Sequence, residues 1–115
     1  MNNCDINKEM NEMTKWYVKW KLTDQYWSLS NAERLKAGIQ TLGMVNADMK
    51  AGLLKDWAIT TDTGKGYALA EGTETQLYQA LIKYRPYHAF EVTPVIPFAQ
   101  HYATLKKIAA RVQSK

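Results

Sequence analysis

The residues with which this chain could do chemistry are few. His88, flanked by Arg85, Tyr87 and the start of an apolar run, titrates near neutrality and could serve as a general acid or base. The structural alternative is a turn histidine bonded to local backbone. His101 falls one position off an apolar helical stripe and reads as a helix flank. Two histidines so far apart, with no carboxylates at ligand spacing, predict no metal site. Lys19 and Glu91 are expected on one face of neighbouring strands. There they could orient a ligand carbonyl or carboxylate, or simply form a cross-strand ion pair worth about 0.2–1 kcal/mol. Trp16, Trp20, Trp27 and Trp57 could stack on a planar ligand, although strand tryptophans more often fill cores and interfaces. Asp62-Thr63-Gly64-Lys65-Gly66 is glycine-bearing but lacks the full spacing of a phosphate loop, and it joins strand to strand. Cys4 has no activating neighbour and reads as inert.

These side chains must be positioned by elements that the pattern of polarity predicts. Residues 1–13 are polar and aperiodic, a mobile leader in which Met10 and Met13 are alternative starts, so the expected domain is 14–115. Trp16, Val18, Trp20 and Leu22 alternate with Lys15, Tyr17, Lys19 and Lys21, the period of a half-buried strand. Ser30-Asn31-Ala32-Glu33 is a capping box opening a helix whose inner stripe reads Leu35, Ile39, Leu42 and Met49, with Gly38, Val45 and Asn46 filling it and Gly52 as a left-handed stop. Leu53–Thr61 and Gly66–Glu71 are strands joined by a turn in which Asp62 supplies a side-chain bond and Gly64 the positive φ. Thr73-Glu74-Thr75-Gln76 caps a second helix carrying Leu77, Ala80, Leu81 and Tyr84 inward, ended by Pro86. Phe90, Val92, Pro94 and Ile96 alternate as a last strand. Pro94 cannot donate to a ladder, which places this strand at a sheet edge or puts a bulge there. Phe98, Tyr102, Leu105, Ile108, Ala109 and Val112 then make a final amphipathic helix.

The chain's 115 residues, 46% hydrophobic and 23% charged, fit one domain with a real core. Aromatics at 11% exclude a disordered chain. The single cysteine excludes an internal disulfide, and no apolar run approaches the roughly 18 residues of a membrane span. A soluble cytoplasmic protein is expected, with no cofactor. The net charge of +4 is concentrated in Lys106, Lys107, Arg111 and Lys115, after which nothing is left over, since eleven basic residues balance eleven acidic ones before them. A charged tail is a poor footprint for nucleic acid, and cations suit the end of a helix. Gly66-Tyr67-Ala68-Leu69-Ala70-Glu71 does not match an RNA-recognition strand either.

The order β-α-β-β-α-β with an appended helix predicts an α+β, ferredoxin-like domain: a four-stranded antiparallel sheet with two helices on one face. If Trp16, Val18 and Trp20 face the helices, the other face carries Tyr17, Lys19, Tyr67, Leu69, Glu91 and Thr93, together with Trp57 or its alternates; in the opposite orientation it carries two tryptophans. That is too apolar for an idle solvent face and predicts a second copy of the chain over it. The run from Leu53 to Phe98, with its strand, glycine turn, strand ending in Glu71-Gly72, helix, Pro86-Tyr87 and strand Phe90–Val95, preceded by the strand Trp16–Leu22, resembles the dimeric α+β barrel superfamily. Within it the chain is similar to the muconolactone isomerase type of small protein. The resemblance implies a homodimer whose cleft binds, isomerises or oxygenates a small apolar or aromatic molecule. It carries over no catalytic residue, because no position matches a functional motif. Tyr17, Lys19, Trp57, Tyr67, His88 and Glu91 are the candidate ligand contacts. The alternative is a non-catalytic dimerisation or regulatory module.

Overall fold

A computed structural model describes residues 14–113. The expected leader, Cys4, Met10 and Met13 lie outside the described residues. The chain runs β1 (Lys15–Leu22), α1 (Asp24–Trp27), α2 (Asn31–Lys50), β2 (Leu54–Ile59), β3 (Lys65–Glu71), α3 (Glu74–Ile82), β4 (His88–Val95) and α4 (Phe98–Gln113). All pairings are antiparallel and the sheet order is β2-β3-β1-β4, the ferredoxin-like arrangement with a C-terminal helix. Pro94 does lie on an edge strand, where its missing N–H leaves no central ladder broken.

Both expected capping boxes form: Ser30 and Glu33 exchange side-chain and backbone bonds, as do Thr73 and Gln76. Each cap stabilises its helix by about 1 kcal/mol. α2 ends as its sequence predicts. Gly52 takes φ +85 and its N–H reaches the Met49 carbonyl, while Leu53 N–H reaches that of Asp48. These two bonds satisfy carbonyls that a helix end would otherwise leave open. Trp16, Val18 and Trp20 of β1 point to the helices and are buried with Val45, Leu54, Leu77, Ala80 and Tyr84. Their cross-strand partners on β3 are Ala70, Ala68 and Gly66. Small residues opposite large ones let two indoles lie flat across the sheet without opening a void. Trp16 also donates its indole N–H to the Gly72 carbonyl at 3.0 Å.

Three expectations need correction, and one element is additional. The turn between β2 and β3 puts Thr63, not Gly64, at positive φ (67), held as Asp62 Oδ1 accepts the Gly64 N–H at 3.2 Å. α3 ends at Ile82, ahead of Pro86. The short helix α1 carries no periodic signal long enough to be read from sequence. The largest difference concerns α2, whose Leu35 and Ile39 are 67% and 65% exposed, with Leu42 and Met49 also exposed, while Val45 and Asp48 are buried. The helix is turned by roughly a third of a turn from the orientation its leucines predict. The cause is polar: the Asp48 carboxylate accepts from Tyr84 Oη at 2.7 Å and Lys83 Nζ at 2.8 Å, which turns that face inward.

Candidate functional site

The strand period of two sends Lys15, Tyr17, Lys19 and Lys21 of β1 away from the helices, and the register sets them against Glu71, Leu69, Tyr67 and Lys65 of β3 and Val95, Thr93, Glu91 and Ala89 of β4. The helix-free face therefore collects four of the six sequence-predicted contacts, Tyr17, Lys19, Tyr67 and Glu91, around a shallow depression of about 460 Å³. Tyr17 and Tyr67 stack diagonally across β1 and β3, with ring centroids 6.1 Å apart and planes 26° from parallel. The Tyr67 hydroxyl donates to Asp56 Oδ2 at 2.9 Å. That bond, with the carboxylate charge behind it, raises the Tyr67 pKa above the ordinary phenol value. Tyr67 thus stays protonated at neutral pH, a donor and a wall rather than a base.

Lys19 and Glu91 face each other directly in register with Nζ and Oε2 4.0 Å apart, their side chains 62% and 80% exposed. At that exposure the pair contributes little to stability, so both groups are open to a third partner. At the far end of the face Lys15 pairs with Glu71 Oε2 at 2.8 Å, and Lys15 holds the Glu71 carboxyl below its usual range. The depression itself is bordered by Lys19, Lys21 and Lys65 against one acid, Glu91. Its field favours an anionic guest.

The other two candidates lie elsewhere. Trp57 does not join the helix-free face. A β-bulge between Leu54 and Asp56 sets Asp56 opposite Leu69 and Trp57 opposite the buried Ala68, so Trp57 points to the helices. One extra residue in a strand reverses which side each following residue takes, and no sequence pattern marked this one. Trp57 stacks on Trp20 at 5.3 Å between centroids and 12° between planes. His88 is the first residue of β4, pairs with Leu22 on the helix side, and is half-buried rather than set in a surface turn. Its ring stands against Trp20, Tyr84 and Phe90, with centroids 5.6, 5.9 and 6.3 Å away, and its Nδ1 meets the Tyr84 carbonyl at 3.2 Å. The Trp20 indole N–H in this cluster is buried without a partner among the described residues. Sequence reasoning did not place Asp56, Lys21 and Lys65 in the site. The period-two alternation of β1 and β3 is the signal that could have found the two lysines.

Burial lowers the His88 pKa below its ordinary 6.5, and the carbonyl bond opposes this only in part. The unfolded chain then binds a proton more readily than the folded one, so stability falls as pH drops through about 6.5 and levels off below the folded value. Urea melts should show midpoints declining from pH 7.5 to 5, and His88→Gln should flatten that decline. The lowered carboxyls of Glu33, Asp62 and Glu71 act in a separate window, below their ordinary values of about 4. An unchanged slope in His88→Gln would assign the decline to another group.

Among the described residues no group of three or more His, Cys, Asp or Glu side chains could hold a metal ion, and no helix is long and apolar enough to cross a membrane. Comparison of the chain with protein-family models, curated proteins and solved structures finds no match in any of the three.

Proposed function

We propose that this protein is a cytoplasmic homodimer of the dimeric α+β barrel kind, in which two helix-free faces enclose a cleft that binds a small aromatic molecule bearing an anionic group. The observation that carries this reading is the Tyr17–Tyr67 stack beside the exposed Lys19, Lys21 and Lys65. Parallel aromatic rings offer a slot or platform for a planar guest, and the lysines supply the charge that fixes its orientation. Leu69 and Val95, 39% and 38% exposed on the same face, provide apolar contact for the second copy. The resemblance of the β-α-β-β-α-β run to the barrel superfamily points the same way. The reading is one of binding: among the described residues the titrating groups beside the rings are lysines, Glu91 and Asp56, and the Tyr67 hydroxyl that donates to Asp56 keeps its proton.

Titration of the full chain with 2-naphthoate, followed through the Tyr17 and Tyr67 ring resonances, tests the site. Lys19→Met should weaken binding by about tenfold through loss of one charge-assisted contact, with stability changed by less than about 0.5 kcal/mol. Neutral 2-naphthyl methanol should bind both proteins alike. No binding at millimolar 2-naphthoate, or equal affinity in parent and variant, overturns the proposal. Leu69 and Val95 also suit a second reading, a non-catalytic interaction module. There side chains fill the space between two faces: Leu69→Lys would abolish the dimer in sedimentation, and 2-naphthoate would leave the tyrosine resonances unmoved.

A further inference from the structure

α4 has no buried residue, although it is the most clearly amphipathic element of the chain. Phe98, Tyr102, Leu105, Ile108 and Val112 line one side and are each about half exposed or more, Phe98 at 77%. The helix projects from the sheet, and the molecule measures 67 × 29 × 21 Å along its principal axes. A helix of 16 residues with an unburied apolar stripe is marginal by propensity alone and requires a surface to pack on.

On the helix side of the sheet, α3 does not reach over the outer edge of β4. What remains is a groove of about 760 Å³ walled by Tyr78, Leu81 and Ile82 of α3 and by Phe90, Val92 and Pro94 of β4. We propose that the α4 arm of a second copy of the chain lies in this groove, each protomer giving its arm to the other. This contact uses the side of the sheet opposite the proposed ligand cleft and is independent of it.

Four observations select that occupant. First, β4 and α4 are joined by Ile96 and Pro97 alone. Proline fixes its own φ and holds the residue before it extended, so the joint sends the helix onward rather than back over its own sheet. A short stiff joint of this kind favours exchange between copies. Second, five half-exposed side chains offer on the order of 500 Å² of apolar surface per arm. Two arms and the two grooves receiving them would bury roughly 2,000 Å², the size of a stable interface. Third, α4 carries Lys106, Lys107 and Arg111 and no acid. Two arms packed on each other in parallel would therefore repel, whereas the groove lining balances Arg85 with Glu74. Fourth, the other apolar groove on the helix side, between α2 and the sheet beside Trp27 and Ile59, is half the size at about 380 Å³.

Amide hydrogen exchange on the full chain tests the exchange of arms. Arm amides from Tyr102 to Gln113 should be protected, and protection should rise with protein concentration. Ile82→Glu, at a side chain 44% exposed, should speed arm exchange by at least about tenfold while β1 amides keep their protection. Ile39→Glu, on the smaller groove, should change nothing. Mixing Ile82→Glu chains with Leu105→Glu chains should restore protection to the intact arms of the former, because the latter keep an intact groove. Protection independent of concentration would place the arm on its own chain. Protection unmoved by Ile82→Glu, or moved by Ile39→Glu, would place it on another surface. An unprotected arm at all concentrations, or failure of the mixture to restore protection, also overturns the inference.

Discussion

Gly66→Ala is expected to destabilise the protein by about 3 kcal/mol or more, at the upper end of what overpacking a core costs. Gly66 is paired with Trp20 on one side and Ile59 on the other, in the middle of the sheet. A Cβ there would overlap the Ala58 carbonyl oxygen and stand 2.6 Å from Cζ2 and 2.7 Å from Cε2 of Trp20. The carbonyl belongs to a strand backbone, and the indole is fixed by its stack on Trp57, so neither can yield cheaply. For a domain of this size the loss corresponds to a melting temperature lower by roughly 12–24 °C. Calorimetry would check it, and near-ultraviolet circular dichroism should register the displaced indole. A shift below about 4 °C would mean that Trp20 moves freely at this site, and the packing of the aromatic cluster would need revision.

Asp48→Ala is expected to cost about 3 kcal/mol in urea unfolding, because it strands the buried Tyr84 hydroxyl that the carboxylate alone satisfies. Asp48 is 7% exposed and accepts from both Tyr84 and Lys83, tying α2 to the residues that follow α3. Burial, reinforced by the bond to Asp48 and its charge, pushes the Tyr84 hydroxyl well above the usual phenol range. It is therefore a fixed donor, and without Asp48 it would be buried and unpaired. Tyr84→Phe in the same background should recover part of the loss, since the orphaned hydroxyl goes with it. Lys83→Met should cost less than about 1 kcal/mol, because that side chain is 44% exposed and screened by water. If Asp48→Ala falls within about 0.5 kcal/mol of the parent, the orientation assigned to α2 has lost its cause.

β1, the two capping boxes, the Gly52 stop and the edge position of β4 each rest on a local rule, and each was legible. Lys19 and Glu91 were placed opposite one another because topology makes β1 and β4 neighbours and alternation does the rest. Trp57 was not legible, because a single bulge in β2 changes which side of the sheet it takes and leaves no mark in composition. The orientation of α2 was misread for a related reason. Its leucines form the stronger apolar stripe, but a buried carboxylate with two donors 35 and 36 residues away outweighs them. From sequence His88 is either a candidate ligand contact or a turn histidine bonded to local backbone; the Tyr84 carbonyl supplies that bond, and only the packing of Trp20, Tyr84 and Phe90 around it reveals the environment that depresses its basicity.

From sequence alone follow the four strands, the three long helices and their order, and hence the ferredoxin-like sheet, because strand alternation, caps and glycine stops act within a few residues of one another. The tertiary structure alone decided which side of α2 is buried, which side of the sheet receives Trp57, and that Tyr17 and Tyr67 stack beside three lysines. Those outcomes depend on register and on polar partners far apart in the chain, and no local pattern encodes a contact whose other half is 35 residues away.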